Sequence, residues 1–370
     1  MKNILGDNLT LTLFGESHGE AIGAVLDGLS PGMTVKREDI EHMLWLRRPA
    51  GDVSTARKEA DEFSILSGVF EGKTTGTSLC ITIPNTNTRS RDYEKTRALA
   101  RPGHADYSAY CKYHGYEDYR GGGHFSGRIT AAICAAGGIL IPALRRKGIL
   151  IGTHMKECAG VCDRDFEDYT ADITALYEKN FPVLCEKSAE EMREKILLAK
   201  SECDSVGGIL STVITGLPAG LGEPFFDSVE SKLSGAMFSI GGVKGIEFGK
   251  GFGFAKMRGS EANDSFREED GKVITETNNN AGLNGGITNG MPVEFRLAVK
   301  PTPSIYKKQN TVDFIKGENA EIEIEGRHDP CIAHRVRAVV DALTAIVISD
   351  ILIGRYGTDY FTPTQKENLI

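Results

Sequence analysis

Five short segments of this chain gather histidine, arginine and aspartate among glycines, a mixture for which a packed core has no use. The first is Gly-Glu-Ser-His-Gly at 15–19. Histidine changes charge near neutral pH, so His18 is a candidate proton donor or acceptor; the plainer reading is an ordinary turn residue. The second is Arg-Pro-Gly-His-Ala-Asp at 101–106. It sets Arg101 and His104 around a Pro-Gly turn, which suits binding and protonating an anion, or closes a surface turn with a salt bridge. The third, Arg-Gly-Gly-Gly-His-Phe-Ser-Gly-Arg at 120–128, directly precedes an apolar stretch. Its glycines let backbone approach a ligand, a following helix would aim N–H groups at an anion, and Arg120 and Arg128 add charge. It is neither a phosphate-binding P-loop nor a dinucleotide fingerprint. The fourth joins Gly-Leu-Asn-Gly-Gly-Ile at 282–287 to Lys-Pro-Thr-Pro-Ser at 300–304, and the fifth is Gly-Arg-His-Asp-Pro-Cys at 326–331. Both read as loops, but Arg327, His328 and Asp329 pack acid, base and anion-binding groups into three positions.

These segments need elements to hold them. Residues 8–14 alternate Leu9, Leu11 and Leu13 with threonines, predicting a half-buried strand that runs into the His18 turn. Residues 37–48 predict a helix stopped by Pro49, with Arg47 and Arg48 at its end. Residues 129–147 predict a helix apolar on nearly all sides, hence central. Ser188 and Glu191 read as a capping box opening an exposed helix to about residue 201. Residues 320–325 predict a strand and 332–353 a long helix. Helices and strands mix without regular βαβ alternation, so the class is α+β.

The chain has 370 residues, enough for one large domain or two. Its formal net charge of −8 argues against non-specific binding to nucleic acid or acidic membranes. The apolar stretch 130–144 is short for a bilayer and holds Gly137, Gly138 and Pro142, and residues 1–8 hold no apolar targeting segment. A cytoplasmic protein is expected. The eight cysteines form no CxxC pair, so reduced thiols and no metal site are expected. Arg48, Arg101, Arg128 and Arg327 in an acidic chain point to one small, highly anionic ligand. The residues by themselves go no further than a small-anion enzyme with histidine acid–base groups.

In order and spacing, the motifs at 15–19, 101–106, 120–123 and 326–331, with those at 66–76 and 220–224, resemble the chorismate synthase family from about residue 5 to 350. The resemblance implies one domain over 1–370 and a β-α-β sandwich, with helices between antiparallel sheets. It implies a lyase that eliminates phosphate from 5-enolpyruvylshikimate 3-phosphate to give chorismate. Reduced FMN is the implied cofactor, with NADPH as reductant in members that reduce their own flavin, and a homotetramer is the implied assembly. By the same resemblance, His18 protonates the leaving phosphate. His104 keeps the reduced flavin in its protonation state, and Asp329 takes part in the final proton transfer. Arg48, Arg101, Arg128 and Arg327 bind substrate. The cofactor positions are Arg47, His124, Phe125, Ser126, Gly241, Gly242, Gly285, Lys300, Pro301, Thr302, Pro303, Ser304 and Arg327.

The chain departs from the family pattern at three places. His124-Phe125-Ser126-Gly127 stands where Arg-Ser-Ser-Ala is common. Asp52 and Val53 stand near a position where a further arginine is common, with Arg57 the next candidate. Arg335-Val336-Arg337-Ala338 replaces a commoner Arg-Ala-Val-Pro. The competing readings are a flavin-free phosphate-ester hydrolase using His18 or His104, and a non-catalytic anion-binding scaffold.

Overall fold

The computed structural model describes residues 2–54, 61–86, 97–324, 326 and 328–363. Among these, two five-stranded sheets enclose a layer of helices. In spatial order the first sheet is Ile4–Leu5, Thr10–Gly15, Ala21–Asp27, Leu79–Pro84 and Ser64–Ser67, with every neighbouring pair antiparallel. The second is Val243–Phe248, Val293–Val299, Gly208–Thr215, Leu150–Cys158 and Val161–Cys162, again antiparallel throughout. Three helices form the filling: α1 (Arg37–Arg47), α2 (Thr130–Arg146) and α3 (Ala333–Tyr356). Helix α2 lies against the first sheet and α3 against the second, and all three pack on one another. This is the α+β sandwich expected from the sequence.

The apolar pattern explains the layering. A helix buried between two sheets cannot keep a polar face, and α2 accordingly buries every residue from Ala131 to Leu144 except Pro142. By length and composition this helix could cross a bilayer, but 83% of its most apolar stretch is buried inside the protein. Close packing of the layer rests on two adjacent glycines. A Cβ on Gly138 would lie 2.6 Å from the Ile40 Cα of α1, and one on Gly137 would lie 2.5 Å from the Ala342 Cβ of α3. Helix α1 thus presses on one side of α2 and α3 on the other.

Element bounds differ from expectation by one to three residues at several places, the long C-terminal helix among them, which runs on to Tyr356. The exposed helix begins at Glu186 with Cys185 as its N-cap, so Ser188 lies in the first turn rather than at the cap. The Ser188 hydroxyl instead donates to the Cys162 carbonyl at 3.1 Å. The strand expected at 320–325 runs Glu318–Glu323, paired with Lys308–Asp313. Helix α1 ends at Arg47, one residue before the expected bound, because Arg48 before Pro49 is extended at φ −65, ψ 160.

Candidate active site

His18 sits at the tip of the hairpin formed by Thr10–Gly15 and Ala21–Asp27. Gly15 starts the turn at φ +95, where a Cβ would lie 2.3 Å from the Ala21 carbonyl oxygen, so only glycine fits. The Ser17 hydroxyl lies 3.0 Å from His18 Nδ1 and 3.2 Å from the carbonyl oxygens of both Arg120 and Gly121. Carbonyls only accept, so the hydroxyl proton points to them and Nδ1 donates to Ser17 Oγ. That tautomer makes Nε2 the nitrogen that gains and loses a proton.

The glycine run at 120–128 lies against this turn. Gly121, Gly122 and Gly123 all have positive φ, and two short 3₁₀ segments, Arg120–Phe125 and Gly127–Ile129, lead into α2. The Ser17 N–H donates to the Gly123 carbonyl at 3.1 Å, and His124 Nδ1 lies 2.8 Å from the Gly15 carbonyl. His124 therefore ties the glycine run to the His18 hairpin. Phe125 is half exposed, edge-on to Tyr113. Asp118 receives two bonds from the Arg120 guanidinium, which holds its carboxyl below the usual range.

Asn85 connects this turn to the arginines. Its side-chain NH₂ donates to the Glu16 and Gly19 carbonyls at 2.9 and 3.0 Å, and its Oδ1 accepts from Arg128 Nε at 3.1 Å. Arg128 also pairs with Asp61 and donates to the Pro84 carbonyl. Arg47, at the end of α1, donates to Thr130 Oγ1 and to the Gly127 carbonyl, and its Nη1 lies 3.7 Å from Asp61. Burial, with Arg335 beside it, pulls the Arg47 guanidinium below its ordinary pKa. Arg335, from the first turn of α3, donates to the Arg47 carbonyl at 3.0 Å and to Asp329 at 2.5 Å. Arg48 and Asp61 line one cavity of about 390 Å³ together with His42, Trp45 and Phe63.

His104 stands between the Arg101 turn and the loop 300–304. Its Nε2 lies 2.7 Å from Ser304 Oγ, and the Lys300 ammonium donates to the Gly103 carbonyl at 2.7 Å. Burial first, then the nearby Arg101, pushes His104 down to about 4, with Asp106 opposing and His328 and Lys300 adding to the shift. The ring is therefore neutral at neutral pH. Arg101 already bonds Asp106 twice through its guanidinium, at 2.9 and 2.7 Å.

The structure thus links the His18 turn, Arg128, Arg47 and Asp329 in one chain of contacts through Asn85, Asp61 and Arg335, while His104 bonds Ser304 and feels the charge of His328, the neighbour of Asp329. Lys300 joins the Gly241–Gly242 turn, since its N–H donates to the Gly242 carbonyl at 2.9 Å. The Gly285 hairpin packs elsewhere, on the segment 223–229, where the Val229 N–H donates to the Gly286 carbonyl. Arg327 and Arg57 lie outside the described residues. Asp52 faces the Glu186–Ser201 helix through Arg193 and Lys200. Sequence reasoning missed Asn85 and Asp61, because their partners stand 43 and 67 residues away. In the central network the three arginines Arg47, Arg128 and Arg335 meet two carboxylates, Asp61 and Asp329. A positive excess remains for an anion, smaller than the number of arginines alone suggests.

The flavin positions fit a polar planar ligand. The Thr302 hydroxyl is buried with no hydrogen-bond partner among the described residues, a costly state that a ligand would relieve. Next to it Ser304 faces His104, Lys300 supplies a cation, and a Cβ on Gly241 would meet nothing within 4 Å.

A family profile described as chorismate synthase matches residues 9–353. The chain is 45% identical over 350 residues to a chorismate synthase of Thermococcus kodakarensis, covering 95% of this chain and 97% of that one. It is 45% identical over 353 residues to a chorismate synthase of Methanosarcina mazei, covering 94% and 95%. A solved structure described as a crystal structure of chorismate synthase superposes with a TM-score of 0.76 at 27% identity, covering 98% of this chain and 97% of that chain.

Proposed function

The chain belongs to the chorismate synthase family and is a lyase, and from that premise we propose that it converts 5-enolpyruvylshikimate 3-phosphate into chorismate and phosphate in the presence of reduced FMN. The observation that carries this reading is the contact chain from the His18 turn to Asp329, with more guanidiniums than carboxylates among its described residues. The substrate bears a phosphate and two carboxylates, so it matches such a field. Arg48, Arg101, Arg128 and Arg327 hold these anionic groups.

The reaction is an anti 1,4-elimination. Phosphate leaves with the electron pair of its C–O bond, a ring proton is lost four atoms away, and a second ring double bond forms. His18 gives the Nε2 proton to the departing phosphate, which leaves more readily as the acid. Ser17 holds the ring through Nδ1 during the transfer. Asp329, held by Arg335, lies at the opposite end of the contact chain and serves the loss of the ring proton. Lys300, Thr302 and Ser304 would hold reduced FMN near His104, whose neutral ring hydrogen-bonds without adding charge, and the bound flavin would supply transient electron density with no net redox change. Gly242, whose carbonyl accepts from the Lys300 N–H, borders the same loop, and Arg47 and Ser126 are assigned to the cofactor by the family resemblance alone. The protein acts in the cytoplasm as one domain in a homotetramer, with no nucleic acid or membrane partner.

The test is anaerobic incubation with substrate and photoreduced FMN, and in parallel with FMN and NADPH in the dark. Chorismate should form with photoreduced FMN and not without flavin. Release of phosphate without flavin and without chorismate would instead establish the hydrolase reading.

A further inference from the structure

Two buried thiols that the proposed chemistry does not use meet beside Asp329. Cys158 ends the strand Leu150–Cys158, and Cys331 lies two residues before the first residue of α3. Both side chains are fully buried, and their sulfurs are 3.9 Å apart. The backbones are held close as well. Cys158 pairs with Gly208 across the sheet, and a Cβ on Gly208 would stand 3.3 Å from the Ala333 Cβ. The Val206 N–H, two residues before Gly208, donates to the Pro330 carbonyl at 2.9 Å. Both flanks of Cys331 therefore rest on the strand that pairs with Cys158.

The surroundings of Cys331 suit a thiolate. The Cys158 thiol lies against it, and the His334 ring and the Ala333 N–H at the start of α3 favour its charged form. Together these hold the Cys331 thiol down to about 5. His334 is itself fixed, with Nε2 2.7 Å from Ser54 Oγ, which accepts from the Ala50 N–H.

We propose that Cys158 and Cys331 are an oxidation site, closed to a disulfide by hydrogen peroxide, and that closure displaces Asp329 and stops turnover. The Cys331 thiolate attacks one oxygen of the peroxide, the O–O bond breaks, and with one proton taken up water leaves. Cys331 is then a sulfenic acid. The Cys158 sulfur attacks the Cys331 sulfur, the S–O bond breaks, the thiol proton joins the departing hydroxide, and a second water leaves. Two thiols are oxidised and one peroxide is reduced. Closure brings the sulfurs from 3.9 Å to about 2.05 Å. Cys331 stands between Asp329 and Arg335, so a pull towards Cys158 strains their 2.5 Å contact. The thiol chemistry is independent of the proposed function, and only the loss of turnover rests on it.

The experiment treats fully reduced protein with hydrogen peroxide, removes the oxidant, alkylates before and after denaturation, and maps the peptides by mass. The Cys158 and Cys331 peptides should be joined. Turnover should fall about a hundred-fold, as for a catalytic group moved by about 1 Å, and return with dithiothreitol. Cys158→Ala should keep its turnover through the same treatment. The proposal is overturned if both thiols still alkylate after denaturation at a peroxide dose that oxidises the exposed Cys111, Cys162 and Cys203. A joined pair with unchanged turnover overturns the link to Asp329. Should untreated protein form no chorismate, the function reading fails, while the peptide map still decides whether the pair closes.

Discussion

At position 121 the His18 ring occupies the space that a side chain would need. A Cβ there would lie 2.2 Å from His18 Cε1, whereas one on Gly122 would meet nothing within 4 Å. Both residues have positive φ, so alanine at either costs about 1–2 kcal/mol of backbone strain. Urea unfolding should show similar losses for Gly121→Ala and Gly122→Ala, while only Gly121→Ala loses most of its turnover. Equal turnover in the two would detach His18 from the glycine run. His104 gives a pH signature. The unfolded chain takes up this proton at the ordinary 6.5 and the folded chain only at about 4. Protons therefore favour the unfolded state, and stability declines as pH falls from 6.5 until the His104 part levels off below about 4. His104→Gln should flatten that part of the urea-midpoint curve; an unchanged slope would show that His104 titrates normally. His18, His104 and Asp329 were legible in the sequence because histidine and aspartate among glycines have little use in a core. Asn85 and Asp61 were not, since a single polar residue at a strand end shows nothing of a partner dozens of positions away.

Helices α1 and α2 touch backbone to backbone at Gly138, and this contact sets where Arg47 and Arg48 emerge. A methyl group there cannot be absorbed by a side-chain rotation, because its nearest neighbour is the Ile40 Cα at 2.6 Å. Gly138→Ala should cost about 1–3 kcal/mol in urea unfolding, the scale of core overpacking. It should also weaken substrate more than oxidised flavin in parallel titrations, because α1 leads directly into Arg48, the proposed substrate arginine. No change in either would mean that the helices move apart without consequence. The helices themselves were readable from spacing: α1 from Ile40, Met43 and Leu44 with its Pro49 stop, α2 from its unbroken apolar run. The start at Glu186 was not readable, because the capping pattern at Ser188 is local while the Ser188 hydroxyl is committed to Cys162 on another strand. The strand Glu318–Glu323 kept its alternation but not its bounds, which its pairing with Lys308–Asp313 decides.

The whole molecule shows large aromatic side chains to solvent. Phe225, Phe226 and Phe252 are each more than four-fifths exposed, at 84%, 92% and 85%, and the rings of Phe225 and Phe226 lie side by side, 6.2 Å apart. Adjacent exposed aromatics suit an association surface, as the proposed tetramer needs. Light scattering should give a mass near four times the 40.1 kDa of one chain, and Phe226→Glu should lower it. A monodisperse monomer would remove the tetramer from the account. At this scale the sequence showed the sandwich only as mixed helices and strands, since which sheet covers which helix is decided by contacts between distant residues. The central claim is that the loops at 15–19, 101–106, 120–128 and 326–331 act as one elimination site. Its most direct test is single-turnover chorismate formation under anaerobic conditions with photoreduced FMN, for wild type, His18→Ala and His104→Ala. Each variant should fold, bind substrate and form chorismate roughly 10²–10⁴-fold more slowly than wild type. Wild-type rates in both variants would contradict the claim.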